Sequence, residues 1–266
     1  MGNSMDSKIV DILISPKTGS SLVPSKDGRE LVAKDSGERF PVVDGMPDFM
    51  AGGALSELDK EAINWFDLMG VALSYDWRLK WRFWRNGISE DEMRLDCLDR
   101  LEVGEGSRIL ETSVGTGTNF QYFPVSAECV GLDISWKMLH YCQRKLKRWG
   151  REAVLMRANA SERLPFVDNA FDVVFHMAGI QYFDDPAGAV REMIRVAKPG
   201  TKIVVADQPH TAEQTLSRVE GARGSYESLD EAIADLPAML PPGMRDVEAG
   251  LISKGELYCL SFRTLG

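Results

Sequence analysis

A glycine-rich segment, residues 108–119, carries the strongest chemical signal in the sequence. It reads RILETSVGTGTN, an apolar strand that ends at the acidic Glu111 and is followed by Gly115, Gly117 and the predicted start of a helix. Glycines let a ligand approach the backbone closely, and the first amide groups of a helix face such a ligand. The spacing is not GxGxxG, and a carboxylate at Glu111 suits an ammonium group better than a pyrophosphate. The segment predicts a site for an amino-acid-type ligand, although a simple tight strand–helix connection would have the same sequence.

A second acidic residue follows at the spacing that is typical of nucleoside sites. Asp133 ends the apolar run Val130–Asp133, about twenty residues after the turn, where a carboxylate can accept both hydroxyls of a ribose. The same side chain could cap the helix that begins near Ser135, and the two roles are geometrically compatible. Dinucleotide dehydrogenases share this combination, and the spacing of the glycine turn argues against them.

These residues must be positioned by a sheet, because from Ser107 onward apolar strands alternate with amphipathic helices. Strands that are apolar on both faces and alternate with helices indicate a parallel sheet covered on both sides. The short Lys254-Gly255 connection makes the last two strands antiparallel to each other. The predicted strands are Arg108–Thr112, Cys129–Leu132, Ala153–Arg157, Phe171–Met177, Lys202–Ala206, 246–253 and 256–263.

The part before this sheet differs in character. Residues 8–50 hold short apolar runs, of which Ile9–Ile14 is the first, separated by turn pairs such as Asp44-Gly45, and are predicted to form a small β-rich unit. A helical, aromatic-rich segment follows. We predict three parts, namely a β-rich module at 1–50, a helical lid or linker at 51–106 and a ligand-binding domain at 107–266.

The chain resembles the class I S-adenosylmethionine-dependent methyltransferases, particularly the ubiquinone/menaquinone-type small-molecule group. The resemblance rests on ILETSVGTG (109–117), GLDIS (131–135), NASERLPFVDNAFDVVF (159–175), AVREMIRVAKPG (189–200) and KIVVAD (202–207). It implies an α/β, Rossmann-like class I methyltransferase fold, with a mostly parallel seven-stranded sheet, an antiparallel last strand and a small N-terminal β-rich unit. It also implies S-adenosyl-L-methionine as the cofactor.

The resemblance further implies roles for individual residues. Glu111 and its neighbours would contact the methionine part of the cofactor, and Asp133 would bind the ribose. The adenine would lie against Ile134, Ala160 and Asn159. Met177 would lie below the sulfonium. The full implied cofactor set is Glu111, Thr112, Ser113, Gly115, Gly117, Asn119, Asp133, Ile134, Met138, Asn159, Ala160, His176 and Met177. Two positions depart from the family pattern: Ser113 replaces a glycine, and Asn159 stands where aspartate is common. A serine fits only where the backbone does not need a positive φ.

Residues for the methyl acceptor are predicted from their position. Tyr75 and Trp77 belong to an aromatic, basic stretch before the sheet, where a lid would lie, and Gln181 and Tyr182 lie in a loop after a core strand. Packing of that stretch on the sheet is an equally good interpretation. His176 and His210 follow core strands at the ligand edge, and are candidates for a general base.

The N-terminal unit resembles the zinc-ribbon-like module that accompanies some tRNA and rRNA methyltransferases, through DILISPKTGSSL (11–22) and SGERFPVVDGMPDFM (36–50). The positions that would carry its paired cysteines are Ser15, Thr18, Ala33 and Ser36. Alcohols and an alanine cannot form a closed structural zinc site. We therefore predict a metal-free scaffold that packs on the ligand-binding domain.

The functional prediction is an enzyme that transfers a methyl group to a small-molecule acceptor. An RNA methyltransferase is the first alternative, suggested by the N-terminal module and by basic residues within 78–85 and 144–151, but the formal net charge of -9 argues against it. A non-catalytic cofactor-binding or partner-binding protein is the second. Scattered cysteines and the lack of a long apolar run predict a protein of the cytoplasm with no membrane partner. The sequence indicates no oligomeric state.

Overall fold

A computed structural model describes residues 7–70, 81, 85 and 87–266 of the chain. Within this part, the main sheet has seven strands in the order β10-β11-β9-β8-β5-β6-β7. All run parallel except β11, which pairs antiparallel with both β9 and β10. This confirms the predicted fold. The strands are β5 (Arg108–Thr112), β6 (Glu128–Asp133), β7 (Val154–Arg157), β8 (Val173–Met177), β9 (Lys202–Asp207), β10 (Arg245–Ile252) and β11 (Leu257–Arg263).

The helices that surround this sheet begin mostly where the sequence predicts. Ser135 accepts a hydrogen bond from the Met138 amide at 3.2 Å, and Asp185 accepts one from the Gly188 amide at 2.7 Å, with Pro186 in the first helical position. The helices are α1 (Ser7–Val10), α2 (Glu57–Gly70), α3 (Glu90–Leu98), α4 (Trp136–Trp149), α5 (Pro186–Val196), α6 (Ala212–Leu216) and α7 (Leu229–Ala234). Short 3-10 turns lie at Thr118–Tyr122, Ile180–Tyr182, Pro209–Thr211, Leu236–Met239 and Ser253–Gly255.

Two local predictions were wrong. The glycine turn opens into the 3-10 turn Thr118–Tyr122 and not into a longer helix, because Pro124 forces the preceding Phe123 into an extended conformation. The apolar run that starts at Ile9 begins with the helical turn α1 and not with a strand.

The order of the strands places a ligand site at the middle of the sheet. The chain builds outward from β5 through β6 to β7, and then returns to the other side of β5 with β8. The strands that follow β5 in sequence therefore lie on both of its sides. This reversal of the strand order opens a crevice at the carboxyl end of β5. The glycine-rich turn begins there.

The N-terminal sheet is an antiparallel meander that packs on β7. Its strands are β1 (Leu22–Pro24), β2 (Glu30–Ala33), β3 (Arg39–Val43) and β4 (Met46–Pro47). Asp48 pairs in parallel with Arg157 at the edge of the main sheet, and the Phe49 amide donates to the Arg157 carbonyl at 2.9 Å. Buried Leu31 and Phe40 share one apolar core with Met156 of β7.

Hydrogen bonds and an ion pair surround Ser15 and Thr18, two of the four positions equivalent to zinc ligands. The Ser15 hydroxyl donates to Glu38 Oε2 at 2.6 Å, and the amides of Lys17 and Thr18 each donate to Ser15 Oγ at 3.2 Å. The Lys17 ammonium completes the group, 3.0 Å from Glu38 Oε1. Among the described residues, no cluster of three or more His, Cys, Asp or Glu side chains could hold a metal ion.

We expect purified protein to carry no stoichiometric zinc and its melting temperature to be unaffected by a chelator, because hydroxyls and an alanine replace the thiolates that zinc needs. Elemental analysis and a thermal melt with and without EDTA measure both. One zinc per chain would overturn this interpretation of residues 8–50.

Candidate functional site

A large cavity opens at the carboxyl edge of the sheet, around the ends of β5, β6, β7 and β8. It encloses about 1180 Å³ together with its open mouth. Most of the residues predicted for the cofactor line it. These are Glu111, Ser113, Gly115, Asn119, Asp133, Ile134, Met138, Asn159, Ala160 and Met177, together with Tyr182 from the acceptor set.

A buried polar chain leads to Glu111 in this cavity. Arg94 of α3 donates from Nε and Nη2 to Glu90 Oε1, at 2.9 and 2.8 Å, and from Nη1 to Asn119 Oδ1 at 2.7 Å. The Asn119 oxygen is thereby occupied, so its amide nitrogen turns to Glu111 and donates to Oε1 at 2.6 Å. Glu111 Oε2 is buried and has no hydrogen-bond partner among the described residues. Burial raises the pKa of Glu111 to about 8, against the lowering effects of Asn119 and Arg94.

Asp133 holds the glycine turn in place. Its Oδ2 accepts from the Gly115 amide at 2.9 Å, and its Oδ1 accepts from the Ser135 amide, also at 2.9 Å. The carboxylate thus joins the first glycine of the turn to the start of α4. It also lines the cavity, so the structural role is observed, and the contact with a ribose stays a prediction.

Ser113 occupies the strained conformation that its side chain disfavours. Its φ is +115°, and the amides of Ser113 and Val114 both donate to the Leu132 carbonyl, at 3.1 and 2.7 Å. The position therefore needs the positive φ that the serine was expected to avoid. A residue held there costs roughly 1–3 kcal/mol, which the surrounding hydrogen bonds must offset.

We expect Ser113→Gly to raise the free energy of unfolding by about 0.5–1 kcal/mol, because relief of the strained φ exceeds the extra chain entropy of glycine. Urea unfolding followed by circular dichroism measures the change. A less stable glycine variant would show that the serine hydroxyl contributes more than the strain costs.

Gly117 and Thr112 belong to the predicted set but lie outside the cavity lining. A Cβ on Gly117 would come within 2.3 Å of Cys142 Sγ, and φ there is +70°. Gly117 is therefore required for α4 to pack against the turn. Thr112 is buried on the side of β5 opposite Glu111, because successive side chains of a strand alternate between faces.

The structure does not bring His176 to the site, contrary to the prediction. Met177 lines the cavity, so the preceding residue of β8 faces the other side of the sheet. His176 is completely buried, its Nδ1 lies 2.7 Å from the Thr112 carbonyl, and its ring meets Phe183 edge-on. Burial lowers its pKa to about 4. A neutral imidazole in this position packs the core and does not reach a ligand in the cavity.

The other acceptor candidates are placed as follows. His210 is exposed, and both it and Gln181 lie outside the cavity lining. The main-chain carbonyl of Gln181 accepts a hydrogen bond from Arg218. Tyr75 and Trp77 lie outside the described residues, and so do Arg78, Lys80 and Arg82 of the basic stretch. Among the basic residues within 144–151, Lys145 is buried and donates to Thr118 Oγ1 at 2.7 Å. Its charge is therefore not exposed for contact with a nucleic acid.

Sequence reasoning missed several lining residues that come from before residue 107. Arg94 and Met93 of α3 and Asp59 and Ala62 of α2 all face the cavity. A signal existed for the helices themselves, since Ser89-x-x-Glu92 forms a reciprocal capping box. That Arg94 and Asp59 point inward depends on how these helices dock, which no local pattern encodes.

The residues present fit S-adenosylmethionine. Glu111 lines the cavity, and its Oε2 is a buried acceptor without a partner among the described residues, which suits an ammonium group. A Cβ on Gly115 would meet no atom within 4 Å, so the backbone there is open to a ligand. Asp133 supplies the carboxylate that a ribose needs.

Comparison with known proteins identifies the family of the chain. The family model described as a methyltransferase domain matches residues 110–205. A demethylmenaquinone methyltransferase of Renibacterium salmoninarum is 36% identical over 114 residues, 42% of this chain and 46% of that protein. A phosphatidylethanolamine N-methyltransferase of Cereibacter sphaeroides is 30% identical over 159 residues, 58% of this chain and 77% of that protein. This chain belongs to the S-adenosylmethionine-dependent methyltransferases.

The family's cofactor is S-adenosylmethionine, and its fold is the one described above. A crystal structure of a SAM-dependent methyltransferase from Aquifex aeolicus superposes with a TM-score of 0.50 at 18% identity, covering 66% of this chain and 95% of that one. The chain spans less than half the length of the first curated relative. No helix of the described residues is long and apolar enough to cross a membrane.

Proposed function

We propose that this chain transfers the methyl group of S-adenosylmethionine to an apolar small molecule. One observation carries the proposal: a single cavity is lined both by the predicted cofactor residues and by apolar side chains. Met93, Met177, Phe183 and Leu257 lie in its wall together with Glu111 and Asp133. A donor and an acceptor can therefore be held side by side, away from water.

We assign the cofactor's parts to residues of the cavity. Glu111 would hold the ammonium group and Asp133 the ribose. Ile134 and Ala160 would flank the base, with Asn159 beside it. When bound, S-adenosylmethionine supplies an electrophilic methyl group on a sulfonium. The residues of the chain then have two tasks, namely to align the acceptor with the methyl carbon and to exclude water, while the sulfur leaves as neutral S-adenosylhomocysteine.

We expect cofactor binding to release a proton near pH 7 because the pKa of Glu111 is raised to about 8 in the free protein. An ammonium group beside the carboxyl favours its ionised form, so affinity should rise as pH increases toward 8 and level off above it. Calorimetry with S-adenosylhomocysteine in buffers of different ionisation enthalpy measures the proton count.

Glu111→Gln is the control for this prediction. The amide cannot ionise, so its binding should release no proton and should lose the affinity gain between pH 6 and 8. Equal proton release by both proteins would remove Glu111 from the ammonium site.

The acceptor side of the cavity favours an apolar, ring-bearing molecule. Phe183 and Leu257 supply apolar surface, and Tyr182 and Gln208 supply polar groups to orient it. Burial raises the pKa of the Tyr182 phenol, so the hydroxyl stays neutral and can donate a hydrogen bond. Relatives of the chain such as that of Renibacterium salmoninarum are named demethylmenaquinone methyltransferases. Demethylmenaquinone is a molecule of this kind, which supports a quinol-type acceptor.

The decisive experiment incubates the protein with methyl-tritiated S-adenosylmethionine and separate acceptor pools. A demethylmenaquinol analogue, phosphatidylethanolamine vesicles and bulk tRNA provide the three arms. We expect label in the organic extract of the quinol arm and none in the RNA. Label only in RNA would favour the RNA methyltransferase, and binding without transfer to any pool would favour the non-catalytic alternative.

We also propose that the protein works in the cytoplasm. All four cysteines are buried free thiols, and burial raises the pKa of Cys259 to about 11 and of Cys129 to about 12. Thiols of this kind behave as small apolar side chains, which suits a reducing compartment.

A further inference from the structure

Helix α2 adds a carboxylate to the cavity from outside the sheet domain. Asp59 is only 5% exposed and lines the cavity. Its Oδ1 and Oδ2 lie 3.1 and 3.2 Å from Asn159 Nδ2, and Oδ2 also accepts from the Ser56 amide at 3.1 Å. A carboxylate has about four acceptor positions, so these contacts leave Asp59 able to accept a further donor from the cavity.

The position of Asp59 along the sheet edge identifies the part of the cofactor that it faces. The glycine turn and Glu111 follow β5, Asp133 ends β6, and Asn159 follows β7. Adjacent strands lie roughly 4.8 Å apart. With the amino-acid part at β5 and the ribose at β6, the base must extend toward the end of β7, where Asp59 and Asn159 meet.

Asn159 itself is committed to other partners. Its Oδ1 accepts from the Ser161 amide at 2.9 Å, while its amide nitrogen points to Asp59. The opposite orientation of the side chain would place its oxygen against a carboxylate and its N–H group against another N–H group. Asn159 therefore stabilises the Asp59 carboxylate and offers it to the cavity.

We propose that Asp59 is a specificity-determining residue, whose carboxylate accepts the exocyclic amino group of the base and selects a 6-aminopurine over a 6-oxopurine. The inference rests on the proposed function, because it takes the cavity to hold S-adenosylmethionine. It also accounts for the asparagine at position 159. An aspartate there would place two carboxylates about as close as the present 3.1 Å contact, where they repel each other.

The charges around Asp59 agree with an acceptor role toward an amino group. Burial raises the pKa of Asp59, and the nearby Asp184 adds to this effect, whereas hydrogen bonds from Ser56 and Asn159 lower it. Glu162 lies in the same electrostatic neighbourhood, and burial together with Asp59 raises its pKa. A donor from the ligand relieves this crowding of acidic groups, and a carbonyl oxygen would aggravate it.

Calorimetry with two ligands tests the proposal: S-adenosylhomocysteine and S-inosylhomocysteine, in which an oxo group replaces the amino group. We expect the unmodified protein to prefer the adenosine ligand by about tenfold or more, as expected when a buried charged acceptor loses its donor. Asp59→Asn should reduce the preference to within about threefold. A preference that survives in Asp59→Asn would overturn the proposal, as would its absence from the unmodified protein.

Two further variants separate base recognition from the helix-capping role of Asp59. Ser56→Ala removes the hydroxyl that accepts from the Asp59 amide at 3.0 Å but leaves the carboxylate, so it should keep the preference. The exchange Asp59→Asn with Asn159→Asp returns a carboxylate to this place and should restore the preference. A loss in Ser56→Ala, or no recovery in the exchange, would also overturn the proposal. Failure of the unmodified protein to bind either ligand would instead refute the proposed function.

Discussion

Replacing Asp133 with alanine should weaken S-adenosylhomocysteine binding by about tenfold or more. Each hydrogen bond from a ribose hydroxyl to a carboxylate contributes roughly 1.5–3 kcal/mol, less the cost of desolvation. The carboxylate also accepts hydrogen bonds from the Gly115 and Ser135 amides. Its removal therefore also takes a hydrogen bond away from the glycine turn. Isothermal titration calorimetry measures the loss.

Ser135→Ala provides a matched control for this prediction. It removes the cap on the Met138 amide at the start of α4 but leaves the carboxylate in the cavity. We expect its affinity to stay within about threefold of the unmodified protein, at a stability cost of about 1 kcal/mol. If Asp133→Ala binds the ligand as tightly as Ser135→Ala, Asp133 is not part of the ribose site.

Replacing Gly117 with alanine should lower the free energy of unfolding by about 2–5 kcal/mol. A left-handed φ costs a non-glycine residue about 1–2 kcal/mol, and overpacking of a full interior costs another 1–3 kcal/mol. The second contribution arises because the new Cβ would stand 2.3 Å from Cys142 Sγ, in the face of α4 that packs on the turn. Urea unfolding measures the loss.

The two contributions can be separated by two comparison variants. Gly115→Ala has a φ of +51° and open space around its Cβ, so it should show the backbone cost alone. Gly117→Ala combined with Cys142→Ala removes the sulfur and should recover stability relative to Gly117→Ala. If Gly115→Ala and Gly117→Ala prove equally destabilising, the contact with Cys142 plays no part.

The sheet could be predicted from the sequence because its central strands, β5, β8 and β9, are almost fully buried and are separated by clear turns. The same patterns located the glycine turn and Asp133, since both stand at strand ends and the carboxyl edge collects ligands. The prediction placed the His176 side chain on the wrong face of its strand. His176 is the penultimate residue of β8, which is buried on both faces. Hydropathy therefore gives no indication of which side chains face the cavity, and only packing decides between His176 and Met177.

Arg94 and Asp59 could not be predicted for a different reason. Each is a charged residue on a capped helix that precedes the sheet in sequence, and charged residues are usually exposed. Their inward orientation depends on Asn119 and Asn159, which lie 25 and 100 residues away along the chain. The serine at position 113 is similar, because its φ follows from the shared Leu132 carbonyl and not from its own preference.

The pairing of Asp48 with Arg157 bears on the solubility of the protein. An uncovered edge strand exposes free amide and carbonyl groups that can recruit another chain, which leads to aggregation. At β7 the segment after β4 covers that edge through the Phe49 amide. The opposite edge strand, β10, has an irregular register between Arg245 and Glu248, which makes it a poor template for further pairing. Residues 7–50 thus cover an edge of the main sheet at which another chain could pair, and a truncated chain that begins after them would expose both β7 and the apolar core beneath it.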